Sequence, residues 1–142
     1  MDKYYLAMAQ ELASHSRCMR RKVGAVLVSF DGSHVVTAVN DPFLDEDACE
    51  EQGCLREVNQ IPSGTQLDVC RCIHCETSVI IQCAKEGIST LNATVYTTLF
   101  PCLACARVLV AAGVKRIVYA SPYSDDRSRA LFSKAQIQVN QL

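Results

Sequence analysis

The chain has 142 residues, a net charge of -1 and an apolar fraction of 49%. That is enough apolar side chain for one ordinary core, and too little net charge for a disordered segment. The balanced charge, with a pI of about 6.3, argues against an extended nucleic-acid surface, which calls for a strongly basic domain. Met1 to Gln10 lack the apolar run of a secretory signal, and no stretch nears the ~20 apolar residues that span a membrane. Nine cysteines without such a signal read as metal ligands or core thiols before disulfides, and imply a reducing cytoplasm.

Taken in order, Tyr4, Leu6, Ala7, Met8 and Leu12 recur at helical intervals and predict an amphipathic helix over residues 3–16. A short basic run follows, Arg17, Arg20, Arg21 and Lys22. Val23-Gly24-Ala25-Val26-Leu27-Val28 reads as a buried strand, Asp31-Gly32 as a hairpin turn and Val35-Val36-Thr37-Ala38-Val39 as the return strand. Residues 41–72 have no clear period. Asp41, Asp45, Glu46, Asp47, Glu50 and Glu51 crowd their first half, and Pro62-Ser63-Gly64 marks a turn in the second. An irregular insert of this length is functional or pinned by something, and this one carries Cys49, Cys54, Cys70 and Cys72.

Regularity resumes at His74. Val79, Ile80, Cys83 and Ala84 lie at helical spacing up to a stop at Gly87. Thr94 to Leu99 is a strand. Pro101 opens the next helix, where its missing N–H costs nothing, and Val108, Leu109, Ala111 and Ala112 carry it to Gly113. Ile117 to Ala120 is a strand, residues 125–134 a last helix and Ile137 to Val139 a last strand. Helix alternating with strand after an opening hairpin implies an α/β fold with helices on both faces of the sheet. The expected organisation is a single domain, residues 1–142, with an irregular cysteine-bearing insert at about 41–72.

The chemistry concentrates in His74-Cys75-Glu76 and Pro101-Cys102-Leu103-Ala104-Cys105. Catalytic zinc takes three protein ligands and leaves a fourth position to water; His74, Cys102 and Cys105 are three. Cys102 and Cys105 are three apart and share a face of a helix. Pro101 puts Cys102 in the first turn, where the helix dipole favours thiolate. His74 and Glu76 diverge in mid-helix but converge at a helix entry. Zinc lowers the pKa of its water from about 15.7 to about 7, and Glu76, left off the metal, is placed to move that water's proton. A closed structural site with Cys75 as fourth ligand is the bland alternative; proline ahead of the pair, with each motif at a helix start, favours the open, catalytic site.

These two motifs together form the pattern of zinc nucleobase deaminases. The chain resembles the deoxycytidylate (dCMP) deaminases of the cytidine deaminase-like superfamily over most of its length. The matching stretches are Cys18 to Val28, Gly53-Cys54-Leu55-Arg56-Glu57, Ile61-Pro62-Ser63-Gly64, Cys70-Arg71, Thr98-Leu99-Phe100-Pro101-Cys102 and Ala112 to Tyr119. Phe100 separates it from the tRNA adenosine deaminases, which usually carry glutamate there. The resemblance implies a three-layer α/β/α sandwich with a mixed five-stranded sheet, zinc on His74, Cys102 and Cys105, and Glu76 as the catalytic proton shuttle. It implies that Asn40 contacts the sugar and that a backbone N–H near Cys75 holds the base. It implies a homo-oligomer, commonly a hexamer, often regulated by dCTP and dTTP. The expected reaction is hydrolytic deamination of a cytosine nucleotide, dCMP to dUMP and ammonia. The alternatives are a deaminase for free cytosine, cytidine, a purine or another nucleotide, and a catalytically silent, zinc-stabilised binding module.

Three positions depart from the family pattern. Cys75 stands where alanine is usual, Ser78 where asparagine is usual, and Ala38-Val39-Asn40-Asp41 replaces Gly-Tyr-Asn-Gly. Cys75 is expected to crowd the base, and Asp41 to repel a phosphate beside it. Cys18, Cys49, Cys54 and Cys70 are candidates for a second, closed zinc site, with Cys18 as a plain core thiol and Cys72 or Cys75 as a ligand in the competing assignment. Cys83 reads as core, and His15 and His34 as surface. Arg20, Arg21 and Lys22 can hold a phosphate, though a solvated basic run is the commoner outcome. Tyr123 either lines the pocket or lies on the surface.

Overall fold

The computed structural model describes residues 1–45, 48–123 and 125–142; Glu46 and Asp47 of the acidic run lie outside the described residues. Five strands form one mixed sheet: β1 (Gly24–Val28), β2 (Val35–Val39), β3 (Thr94–Leu99), β4 (Arg116–Ser121) and β5 (Gln138–Gln141), in the order β2-β1-β3-β4-β5. The hairpin β1–β2 is antiparallel, with Leu27 opposite Val36. β1 also pairs antiparallel with β3, while β3–β4 and β4–β5 are parallel. The parallel pairs are those joined through helices, since a parallel crossover needs a long connection.

Strand alternation divides the core in two. Val26, Tyr96 and Val118 face α1 (Asp2–Ala13), where they pack with Ala9, Tyr5, Met8 and Leu12. Leu27, Val95 and Ile117 face the other way. There they meet Val79 and Cys83 of α4 (Cys75–Glu86), Ala106 and Leu109 of α5 (Leu103–Ala111), and Phe132 of α6 (Asp126–Lys134). The result is the expected three-layer sandwich, with one helix on one face and three on the other. Gly24 lets α1 lie close on the sheet, because a Cβ there would run into the Ala9 carbonyl. Asp2 pins the start of α1 to the far strands: Arg116 grips it through two bonds of 2.8 and 2.6 Å, and Tyr96 donates a third of 2.9 Å.

Several elements differ from the sequence reading: α5 starts at Leu103, so Pro101 and Cys102 precede its first turn, and β5 is shifted to Gln138–Gln141. α1 stops at Ala13, short of residue 16, where Ser14 turns its hydroxyl back to the Glu11 carbonyl at 2.7 Å. The insert is not wholly irregular. It holds two single-turn helices, α2 (Cys49–Gln52) and α3 (Leu55–Val58), and a 3-10 turn at Leu67–Val69. Four-residue helices are too short to leave a periodic signal. The loop after α3 is held by side-chain donors: Arg20 reaches the Ile61 carbonyl, and Arg56, on α3 itself, those of Pro62 and Thr65.

Candidate active site

Two helix starts meet beside β1 and β3. α4 follows the insert with His74 as its extended N-cap residue, so Cys75, Glu76 and Thr77 fill its first turn. α5 follows β3 through Phe100-Pro101, and its N-cap is Cys102. Cys102 thus sits one position before the first turn, and Cys105 within it. The two starts bring His74 Nδ1 to 3.6 Å from Cys102 Sγ and 3.5 Å from Cys105 Sγ. Tetrahedral zinc with ordinary metal–sulfur and metal–nitrogen bonds separates such ligands by about 3.6 Å. Among the described residues, these three alone bring their donor atoms within 4.8 Å of one another. The residues therefore fit a zinc ion.

Electrostatics agree with the geometry. The Cys105 thiol, with help from His74, holds the Cys102 thiol down at about 4. Cys105 is pushed up, first by the Cys102 sulfur beside it and then by burial. The two sulfurs act as one thiol–thiolate pair, whose remaining proton is released to solvent when a metal binds. His74 is raised, chiefly by the Cys102 sulfur. Glu76 is 4% exposed, and burial raises its carboxyl above the ordinary value. That moves it toward the neutral range where a proton shuttle works best.

The substrate-side residues divide. Asn40 lines the same cavity as His74, Glu76 and Cys102. Its Oδ1 accepts the Cys75 N–H at 2.8 Å, which satisfies one of the orphan donors at the start of α4. The base-holding N–H expected near Cys75 is not the Cys75 N–H in this arrangement, whose proton goes to Asn40. The Cys75 side chain does not crowd the cavity. It is fully buried against Val23 and Ala25, with Ala38 and Leu99 around it, and Sγ lies 3.4 Å from Glu76 Oε2. The two alanines, paired in register on β1 and β2, leave room for the sulfur. Ser78 is buried with its hydroxyl unpartnered. Tyr123 does line the cavity, with the Arg21 guanidinium 5.2 Å above its ring.

Three arginines complete the wall: Arg20, Arg21 and Arg56. Arg20 Nη2 donates to the Ile61 carbonyl at 2.9 Å, yet its Nη1 is buried without a partner. Arg56 is buried, gives Nη2 to the carbonyls of Pro62 and Thr65, and keeps Nε unpartnered. Arg20 and Arg21 are therefore not a solvated run. Arg56 carried no sequence signal of its own, because α3 is a single turn. Asp41 is accounted for as well: Arg17 clasps both its oxygens at 2.7 and 2.9 Å and reaches Asp45 at 2.7 Å. The guanidinium holds the Asp41 carboxyl below its usual value, so its charge is matched locally.

Four of the remaining cysteines gather into one cluster, with one change of member from the expected set, while Cys83 lies in the main core as expected. Cys18, Cys49 and Cys72 are buried together and Cys70 packs at their edge. Cys49 Sγ lies 4.0 Å from Cys72 Sγ. The Cys70 and Cys72 thiols hold Cys18 down at about 2. Cys54, expected here, is buried on the cavity wall. Cys72 takes its place because Cys70 has extended backbone, so a side chain two residues on emerges on the same side. All nine cysteines are free thiols.

Comparisons with known proteins show the family. The family described as cytidine and deoxycytidylate deaminase zinc-binding region matches residues 1–121. The deoxycytidylate deaminase of Schizosaccharomyces pombe (strain 972 / ATCC 24843) is 34% identical over 99% of this chain, which spans 43% of that protein's length. ComE operon protein 2 of Bacillus subtilis (strain 168) is 31% identical over 99% of this chain and 70% of its own. The crystal structure of the dCMP deaminase from cyanophage S-TIM5 superposes with a TM-score of 0.73 at 22% identity, covering 99% of this chain and 96% of that one. That phage enzyme has also been solved in complex with dCMP and dUMP.

Proposed function

Since the chain belongs to the cytidine and deoxycytidylate deaminase zinc-binding family, we propose that it hydrolyses dCMP to dUMP and ammonia, with zinc on His74, Cys102 and Cys105. One observation supports the monophosphate as substrate. The cavity that carries His74, Glu76 and Cys102 also carries three arginines, two of them with buried nitrogens lacking a partner. A buried donor without a partner costs about 1–3 kcal/mol, and a phosphate oxygen removes that cost through a charge-assisted bond. A nucleoside without phosphate leaves it in place.

Bound zinc supplies Lewis acidity and a nucleophile at neutral pH. The chain's own residues do the rest. Glu76 takes a proton from the attacking water and delivers it to ring N3. It then carries the second proton to the amino group at C4, which leaves as ammonia. Burial keeps that carboxylate out of bulk water and near its partners. Asn40, fixed by the Cys75 N–H, sets the angle at which α4 presents Glu76 and stands where a sugar hydroxyl can reach it. Tyr123, under the Arg21 guanidinium, offers a flat wall to the nucleotide.

The test is a substrate panel. Zinc-loaded protein is incubated with cytosine, deoxycytidine, dCMP, dCTP and adenine, and ammonia is measured. dCMP should turn over far faster than deoxycytidine; equal rates would remove the phosphate from the reading, and silence across the panel would leave a zinc-stabilised binding module. The proposal extends to a second, structural zinc on Cys18, Cys49, Cys70 and Cys72. The 4.0 Å separation of Cys49 and Cys72 is close to the ~3.8 Å edge of a tetrahedral zinc–thiolate site. Two zinc ions per chain by elemental analysis is the expected result, and one would end it. A homo-oligomer, hexameric as the resemblance implies, is checked by light scattering. No helix among the described residues is long and apolar enough to cross a membrane, and nine free thiols suit a reducing cytoplasm.

A further inference from the structure

We propose that Thr77 is a positioning residue for the metal centre: its hydroxyl donates a hydrogen bond to the Cys105 thiolate and tunes that ligand. The inference rests on the reading of His74, Cys102 and Cys105 as zinc ligands. Thr77 Oγ1 lies 3.5 Å from Cys105 Sγ, across the gap between α4 and α5. Either group can donate when both carry protons. A thiol that binds a metal has lost its proton, so the hydroxyl must then be the donor.

The local backbone leaves the hydroxyl free for this role. A helical threonine commonly turns its hydroxyl back to the carbonyl four residues earlier. Here that carbonyl belongs to Ile73, and it already accepts the Asp41 N–H at 3.2 Å. The next carbonyl, on His74, accepts the Ser78 N–H at 2.9 Å. Among the described residues the hydroxyl's contact is with neither carbonyl but with the Cys105 sulfur. Cys105 Sγ has the Thr77 hydroxyl beside it, a donor that a substitution can delete.

A hydrogen bond to a thiolate withdraws electron density from sulfur and weakens its donation to the metal. It also fixes the sulfur in direction, as partners behind metal ligands do. Thr77 thus links the helix carrying Glu76 to the ligand pair on α5 and helps set how strongly that pair neutralises the metal's charge.

The experiment substitutes cobalt(II) for zinc in the whole chain and records the thiolate-to-cobalt charge-transfer band, with no nucleotide present. Thr77→Val removes the donor and nearly keeps the shape; the band should move to longer wavelength. Thr77→Ser restores a hydroxyl and should return the band toward the wild-type position. If the valine variant fails to fold, Thr77→Ala carries the same prediction with less steric demand. With zinc and dCMP, kcat should fall about 10-fold in the valine variant, with KM unchanged. A band in Thr77→Val or Thr77→Ala that superposes on the wild type overturns the proposal, as does a serine variant no closer to wild type than valine. The band is read without substrate. A protein that shifts as stated but releases no ammonia from dCMP refutes the deaminase reading and leaves the role of Thr77 standing.

Discussion

The metal triad and the thiol cluster use the same element, cysteine, in opposite ways. His74, Cys102 and Cys105 hang from the starts of two long helices packed against the sheet, and their donor atoms already stand at tetrahedral spacing. Cys18, Cys49, Cys70 and Cys72 come from loops and a single-turn helix, and among the described residues they do not close to the same mutual distances. A site on regular elements is positioned before its ligand arrives; a site on irregular chain has to be drawn together by it. The first arrangement suits chemistry, which needs fixed atoms. The second suits stapling, in which the metal organises the chain. The cavity lies between them, since Cys18 and Cys70 line it alongside His74 and Cys102.

Breaking the triad's side of this contrast should have the largest effect. Glu76→Gln removes the carboxylate proposed as proton shuttle and no ligand. Ammonia release should fall about 1,000-fold while zinc content is unchanged; near-normal turnover would take the role from Glu76. Next comes the shared wall. Arg20→Ala removes a guanidinium with a spare donor, and KM for dCMP should rise about 10- to 100-fold. The rate with deoxycytidine should stay put, and equal losses on both substrates would show a fold effect instead.

On the cluster side, Cys72→Ser should lower the thermal midpoint by several degrees and release one zinc, leaving kcat little changed. Cys54→Ser should do neither, and the pair of variants sharpens the assignment of ligands. The smallest effect is expected far from both regions. Arg116 holds the Asp2 carboxyl at about 2, below its ordinary 3.8. A carboxylate so depressed stabilises the fold above about pH 4, and that contribution is lost as pH falls through about 2. Asp2 is one-third exposed, so solvent screening keeps the contribution near ~1 kcal/mol. Asp2→Asn should therefore cost about 2–4 °C at pH 7, and the gap between variant and wild type should close by about pH 2.

Much of the active half was legible because its signals are local. His74-x-Glu76 and Cys102-x-x-Cys105 declare themselves by spacing, and the strands beside them by valine-rich runs. The fold followed from helix alternating with strand. What escaped was non-local. Arg56 reaches the cavity only because a one-turn helix places it there. Cys72 displaces Cys54 because the chain path between Val69 and Ile73 is set by contacts from Gly53 and Asp41, not by period. In the sequence Asp41 is a lone negative charge; the partner that clasps it, Arg17, lies twenty-four residues earlier. Thr77 lay beside the motif in plain view. Its partner, twenty-eight residues on, was not.

The placement of β1 between β2 and β3 has a consequence for the newborn chain. β1 and β2 are sequence neighbours and can zip as soon as both exist. β3 lies beyond the whole insert, from residue 41 to residue 72, and beyond α4. At the usual ribosomal pace of ~5–20 residues per second, one margin of the hairpin stays open for several seconds before its partner is made. During that interval Ala25, Val26 and Leu27 offer a bare, apolar template to any other strand. The insert is thus more than a wall for the pocket. Its acidic and thiol-rich stretch emerges during those seconds, and it fixes how long the centre of the sheet must wait.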